Sequence, residues 1–285
     1  MIARRWWAVA FALLAATALA CKGQEGAGGT SPEPDPTRTR VVAGLPSSMA
    51  AIGDSITAGY GSCFTLTNCP RNSWATGDGS LVDSHYRRIL DGNPAIKGHA
   101  KNFAASGATA AGLASQATKA AATHPAYLTV MIGANDACRS TMTATSTFAS
   151  QIDTALRAVK TASPQTRILM VSIPNVYRVW EVGHTSRLAR SVWSLGVCPS
   201  LLANPTSTAA ADVARRQAFR ERIDAYDGLL AKACTRYGHL CRWDGGAVHD
   251  ATFNLSQLSA LDFFHPNADG QNEIAEVTFP SSFTW

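Results

Sequence analysis

Two short stretches hold the residue types that acyl transfer requires. The first is Ala51-Ile52-Gly53-Asp54-Ser55-Ile56-Thr57-Ala58-Gly59-Tyr60-Gly61. Met49 to Ile52 are small or apolar, the mark of a buried parallel strand. Gly53 allows a sharp exit from that strand, because a residue without Cβ tolerates dihedrals closed to others. Ser55 then falls at the mouth of a turn or helix, where backbone N–H groups point outward. A hydroxyl there has donors beside it that can stabilise an oxyanion, as an acyl-transfer nucleophile needs. The competing reading is an ordinary N-cap serine.

The second stretch supplies a base. Of seven histidines, His265 sits in Asp262-Phe263-Phe264-His265-Pro266. A spacing of three puts Asp262 and His265 on one side of a helical turn, so the carboxylate orients the imidazole and stabilises its cation. His249-Asp250 is the rival pair, but adjacent residues point apart in a helix or a strand.

The rest of the chain must bring these groups together. Short apolar strands are expected at Lys101–Ala105, Tyr127–Ile132 and Arg167–Ile173, with a weaker one near His239–Trp243. Helices are expected at His85–Asp91, Ala110–Ala122, Thr143–Ala162, with Phe148, Ile152, Leu156 and Val159 on one face, and Ala209–Arg236. Pro266 suits the first turn of a last helix reaching Glu276. Residues 175 to 207 read as irregular, and Tyr177, Trp180, Phe263 and Phe264 are candidates for an acyl groove or for core. Strands alternating with helices imply a parallel sheet covered on both faces, with its site beyond the carboxyl ends of the strands. That rule gathers Ser55, Gly107 and Asn135 at one edge.

Met1 to Ala20 has the form of an export signal: Arg4 and Arg5, an apolar run, then Ala18-Leu19-Ala20. Cys21 follows directly, so lipidation of Cys21 competes with simple secretion or release to the periplasm. Residues 21 to 45 read as a tether, and 46 to 285 as one catalytic domain. Two of the 25 Lys and Arg residues fall in the leader, and the other 23 face 20 acidic residues. So small an excess gives no argument for nucleic acid as a partner. Cys63, Cys69, Cys138, Cys198, Cys234 and Cys241 are an even set in an exported chain, which suggests three disulfides. Cys63–Cys69 and Cys234–Cys241 would close short local loops, leaving Cys138–Cys198 by elimination.

Taken together, Gly53-Asp54-Ser55 with Gly59, Asn102 through Gly107-Ala108-Thr109, Gly133-Ala134-Asn135-Asp136, and Asp262 with His265-Pro266 resemble the SGNH (GDSL-type) hydrolases in order and spacing. No Gly-x-Ser-x-Gly elbow occurs, against an ordinary α/β-hydrolase. The resemblance implies a three-layer α/β/α sandwich with a flavodoxin-like parallel sheet. It implies Ser55 as nucleophile, His265 as base and Asp262 as its orienter, with Ser55 N–H, Gly107 N–H and the Asn135 amide as the oxyanion hole. Arg71 to Gly79 and Ile132 to Cys138 look like a phospholipase-B-like branch. No metal or organic cofactor is implied. The expected activity is that of a monomeric serine esterase or lipase on lipid or small-alcohol esters. A carbohydrate O-deacetylase is the enzymatic alternative, and a non-catalytic envelope-binding lipoprotein the alternative of another class.

Overall fold

The computed structural model describes residues 42–285, so the leader, Cys21 and most of the tether lie outside the described residues. Five strands form one parallel sheet in the order β2-β1-β3-β4-β5. They are β1 (Met49–Gly53), β2 (Ala100–Asn102), β3 (Tyr127–Met131), β4 (Arg167–Met170) and β5 (Cys241–Trp243). The helices are α1 (His85–Gly92), α2 (Ala110–Ala121), α3 (Ala134–Ala137), α4 (Thr145–Ala162) and α5 (Tyr177–Gly183), then α6 (Arg187–Trp193), α7 (Pro199–Leu202), α8 (Ala210–Tyr237), α9 (Ala247–Asp250) and α10 (Ala268–Thr278).

Because side chains alternate across a strand, each central strand feeds two cores. Ala50, Ile52, Leu128, Val130, Ile168 and Met170 pack under α2, α4 and α8, against Leu113, Phe148, Ile152, Phe219 and Leu230. Met49, Ala51, Tyr127, Met131, Leu169 and Val171 face the other way, onto Ile89, Ile274 and Phe283. The central strands are therefore apolar on both faces, and the result is a three-layer α/β/α sandwich.

Local chemistry sets several element ends. Ser84 caps α1, accepting from Arg87 N–H, and Asn267 caps α10, accepting from Asp269 and Gly270 N–H. α8 stops at Gly238, which takes φ 106°.

Three expectations are corrected. The second strand is Ala100–Asn102 rather than Lys101–Ala105, because Asn102 Oδ1 takes the Ala104 N–H at 3.0 Å and turns the chain away. Residues 175 to 207 hold three short helices, α5 to α7, whose apolar positions are too few per helix to show a period. Pro266 lies outside the last helix: it bridges Leu258, and α10 begins two residues later behind its Asn267 cap.

Candidate active site

β1 ends at Gly53, which takes φ 153°; a Cβ there would come within 2.2 Å of the Met131 carbonyl oxygen on the neighbouring strand. The chain leaves as consecutive turns rather than a helix, with Tyr60 N–H bonded to Ser55 O at 2.9 Å and Ala58 N–H to Asp54 O at 3.0 Å. Asp54 Oδ1 accepts the Ile56 N–H at 3.0 Å. These bonds fix the residues on either side of Ser55.

Two buried glutamines hold the same turn, and nothing in their sequence context singles them out. Gln271 of α10 donates from Nε2 to Ile56 O at 2.9 Å and accepts the Trp74 N–H at 2.9 Å. Gln116 of α2 bonds both backbone groups of Gly53. Asn102 donates to Thr57 O at 2.8 Å and to Thr76 Oγ1 at 3.0 Å, so its part is structural.

Asp262 and His265 do meet, though not on a helical turn. Asp262 Oδ1 captures the N–H groups of Phe264 at 2.9 Å and His265 at 3.0 Å, which folds the segment into an Asx-type turn. Phe263 sits in the left-handed region at φ 51°. Its N–H reaches Ser259 O at 2.8 Å and its carbonyl takes the Trp193 Nε1–H at 3.2 Å, which hold this unfavourable conformation.

The other carboxylate oxygen, Oδ2, lies 2.6 Å from His265 Nδ1, and His265 Nε2 lies 2.9 Å from Ser55 Oγ. An ionised carboxylate only accepts, so Nδ1 carries the proton and Nε2 offers its lone pair to the serine hydroxyl. Tyr60 packs on the imidazole at 4.6 Å between ring centroids. The rival His249 lies elsewhere: its ring faces Asp227 at 3.0 Å and Asp224 at 3.5 Å, and these carboxylates push its pKa up.

Gly107 and Asn135 come to the same edge as Ser55, the three lining one groove. Asn135 lies within α3, and its Nδ2 donates to Ala108 O at 3.0 Å, which fixes the amide and leaves a second N–H without a partner in that bond. The neighbouring Asp136 is fully buried, and its Oδ2 accepts the Ala110 N–H of α2 at 2.8 Å. Burial pushes the Asp136 carboxyl up. Asn135 and Asp136 thus tie both candidate oxyanion segments together.

Ser55 opens onto two cavities. One is narrow and apolar, walled by Val176, Val179, Phe253, Leu258, Phe264 and Pro266. The other is an open groove walled by Tyr60, Leu66, Val192, Leu195 and Val197. Of the four aromatics considered from the sequence, Phe264 alone lines a cavity at Ser55. Trp180 instead donates to Pro205 O at 2.8 Å under the Arg216 guanidinium, Tyr177 packs against Trp180 with the rings tilted, and Phe263 packs on the main core.

The sulfurs pair as Cys63–Cys69, Cys138–Cys198 and Cys234–Cys241. Three disulfides mark a protein matured outside a reducing cytosol, in an extracellular or periplasmic setting. The second joins α3, which carries Asn135, to the start of α7. Among the described residues, no helix is long and apolar enough to cross a membrane.

Comparison with known proteins bears on this arrangement. Residues 51–272 match the model of the GDSL-like lipase/acylhydrolase family. A candidate GDSL-like lipase from Parabacteroides merdae ATCC 43184 superposes with a TM-score of 0.54 at 16% identity, covering 85% of this chain and 98% of its own. An active-site mutant of a family two carbohydrate esterase from Clostridium thermocellum superposes with a TM-score of 0.50 at 14% identity, covering 80% of this chain and 61% of its own. At such identities the likeness is one of fold. No curated protein sequence matches the chain.

Proposed function

The chain belongs to the GDSL-like lipase/acylhydrolase family, and on that premise we propose that it is an exported serine esterase cleaving acyl esters through an acyl-enzyme on Ser55. The observation that carries this reading is the continuous relay from Asp262 through His265 to Ser55 Oγ, at 2.6 and 2.9 Å, facing apolar cavities.

In the first step Nε2 of His265 takes the Ser55 proton as Oγ attacks the ester carbonyl carbon. Asp262 keeps Nδ1–H directed at itself and stabilises the imidazolium that forms. The carbonyl electrons move to oxygen, where the Ser55 and Gly107 N–H groups and the Asn135 amide receive the charge. The tetrahedral species collapses, His265 protonates the departing alcohol, and the acyl group stays on Ser55. Water then repeats the sequence with His265 again as base, releasing the acid.

Apolar walls on both sides of Ser55 support acyl esters of lipid or small alcohols over carbohydrate acetates. The leader-like start and the disulfides support export, with Cys21 the residue a lipid anchor would occupy. A chain-length series of p-nitrophenyl esters beside acetylated xylan tests the reading. Turnover should extend from acetate to butyrate and octanoate, and vanish in Ser55→Ala. Cleavage confined to acetate and acetylated xylan would assign the site to a deacetylase, and no turnover at all to a binding protein.

A further inference from the structure

Apolar side chains exposed to water are gathered at the mouth of the open groove. Leu195 is 84% exposed and Leu66 45%, and both line the groove beside Ser55. Phe64, 88% exposed, lies two residues from Leu66 in the loop that Cys63–Cys69 closes. Leu188, 69% exposed, stands one turn before Val192 on α6, and positions four apart share a helix face. Leu261, next to Asp262, is exposed as well. Of seven large apolar side chains exposed on the described surface, Leu66 and Leu195 line the groove, and Phe64, Leu188 and Leu261 lie within four residues of a groove-lining residue. A Phe and several Leu left in water forgo the stabilisation that burial gives an apolar side chain. So concentrated a set marks a contact surface.

The charge around the opening is one-sided. The segments that supply its wall, 60–72, 184–199 and 259–265, and the stretch 136–143 that follows Asn135, contain Arg71, Arg139, Arg187 and Arg190. Arg139 lines an adjoining depression that shares Gly107 and Asn135 with the groove. The only acidic residues of these segments are Asp136 and Asp262, both buried and both engaged in the site. Arg139 and Arg187 are exposed. Apolar rim segments that carry cations and no exposed carboxylate complement a surface with apolar chains beneath anionic headgroups.

We propose that this rim docks the enzyme on an anionic lipid surface, so that acyl chains leaving the surface enter the open groove at Ser55. Phe64, Leu66, Leu188 and Leu195 enter the apolar layer, while Arg139 and Arg187 meet the headgroups. The inference deepens the ester-hydrolase reading and relies on it for the fate of the lipid, but the docking step stands apart from catalysis.

The test is co-sedimentation of the exported chain with phosphatidylglycerol vesicles and with phosphatidylcholine vesicles. Cys21→Ser is carried in every arm, so that no lipid on residue 21 contributes. The expected result is binding to phosphatidylglycerol that Phe64→Ser/Leu188→Ser weakens roughly tenfold or more, two apolar contacts being lost. Arg139→Glu/Arg187→Glu should weaken it similarly and remove the preference over phosphatidylcholine. Because all four positions are exposed, turnover of monomeric p-nitrophenyl butyrate should stay unchanged in both variants. Equal binding by wild type and variants, or no binding at all, overturns the docking proposal whatever the turnover. A dimer that Phe64→Ser/Leu188→Ser dissolves, with no vesicle binding, overturns it in favour of a second copy of the chain. Vesicle binding as expected with no p-nitrophenyl turnover would leave docking standing and sink the esterase reading instead.

Discussion

Gln116 brackets Gly53: its Oε1 accepts the Gly53 N–H at 2.8 Å, and its Nε2 donates to the Gly53 carbonyl at 2.9 Å. The side-chain amide thus acts as an extra peptide unit at the end of β1, two residues before Ser55. It also ties α2, which follows the Gly107 loop, to the strand that presents the serine. Gln116→Ala leaves the Gly53 N–H buried without its partner, a loss of about 1–3 kcal/mol. We expect a lower melting temperature together with kcat reduced by roughly tenfold to a hundredfold and KM little changed, since small displacements of a reacting group are costly. A folded Gln116→Ala protein with normal kcat would show that the bracket supports the fold alone.

Asn135 should matter chiefly in the transition state. Its amide is neutral and already held by Ala108 O, so in the proposed oxyanion role it would donate to the developing charge without binding the ground-state ester strongly. Asn135→Ala should lower kcat by about 10² to 10³ with KM nearly constant. Asn135→Asp should be no better, because a carboxylate repels the oxyanion. Near-normal kcat in a folded Asn135→Ala protein would make the residue structural.

The disulfides should separate by function. Cys138–Cys198 closes a separation of 60 residues and ties α3 to the segment lining the groove, whereas Cys234–Cys241 spans 7 residues at the far end of α8. Replacing both cysteines of a native pair by serine typically costs about 2–5 kcal/mol, more for longer loops. Denaturant unfolding should show the larger loss for Cys138→Ser/Cys198→Ser. Only that variant should also lose ester turnover well below its unfolding midpoint. Equal turnover in the two variants would remove any role of the Cys138 crosslink in holding the site.

Stability against pH rests on two buried groups of opposite sign. His85 donates from Nε2 to Thr278 Oγ1 and accepts from Tyr127 OH, each at 2.9 Å, since the Thr278 hydroxyl is spent on Ile274 O. Burial pulls its pKa from 6.5 down to about 3, so the unfolded chain binds the extra proton between those values. Its contribution is therefore complete above pH 6.5 and lost on acidification. Burial lifts Asp54 from 3.8 to about 6, so its contribution is present below pH 3.8 and lost as pH rises to about 6. Asp54→Asn keeps an acceptor for the Ile56 N–H and removes the second effect. The stability of Asp54→Asn relative to wild type should thus grow between about pH 4 and 6, approaching about 1.4 kcal/mol per pH unit. A difference constant with pH would mean that Asp54 ionises in the fold as freely as in the unfolded chain.

How much of this was legible in the sequence depends on whether a residue's role is written in its local chemistry. The apolar run before Gly53 and the polar marks ending at Asn135 announce strands and the edge where they stop, so the sheet and the gathering of Ser55, Gly107 and Asn135 could be read directly. Asp262 and His265 were legible as a pair, but their turn was not. An Asp that captures two backbone N–H groups and a Phe in the left-handed region leave the same spacing as a helix would. Gln116 and Gln271 were not legible, because a lone glutamine on a helix looks the same whether it meets solvent or a buried backbone. The apolar wall beside Ser55 was also hidden: Val179, Phe253 and Leu258 come from three separate segments, and only the folded chain brings them to Ser55.

The central claim is that Ser55 is the nucleophile, activated by His265. It is tested most directly by the mass of the protein after reaction with a p-nitrophenyl alkylphosphonate, whose phosphorus is attacked as an ester carbonyl would be. The account predicts loss of p-nitrophenol, a single phosphonyl adduct mapping to Ser55, no adduct in Ser55→Ala, and sharply slowed labelling in His265→Ala. An adduct on a different residue, or unlabelled Ser55 in a protein that still turns over p-nitrophenyl esters, would contradict it.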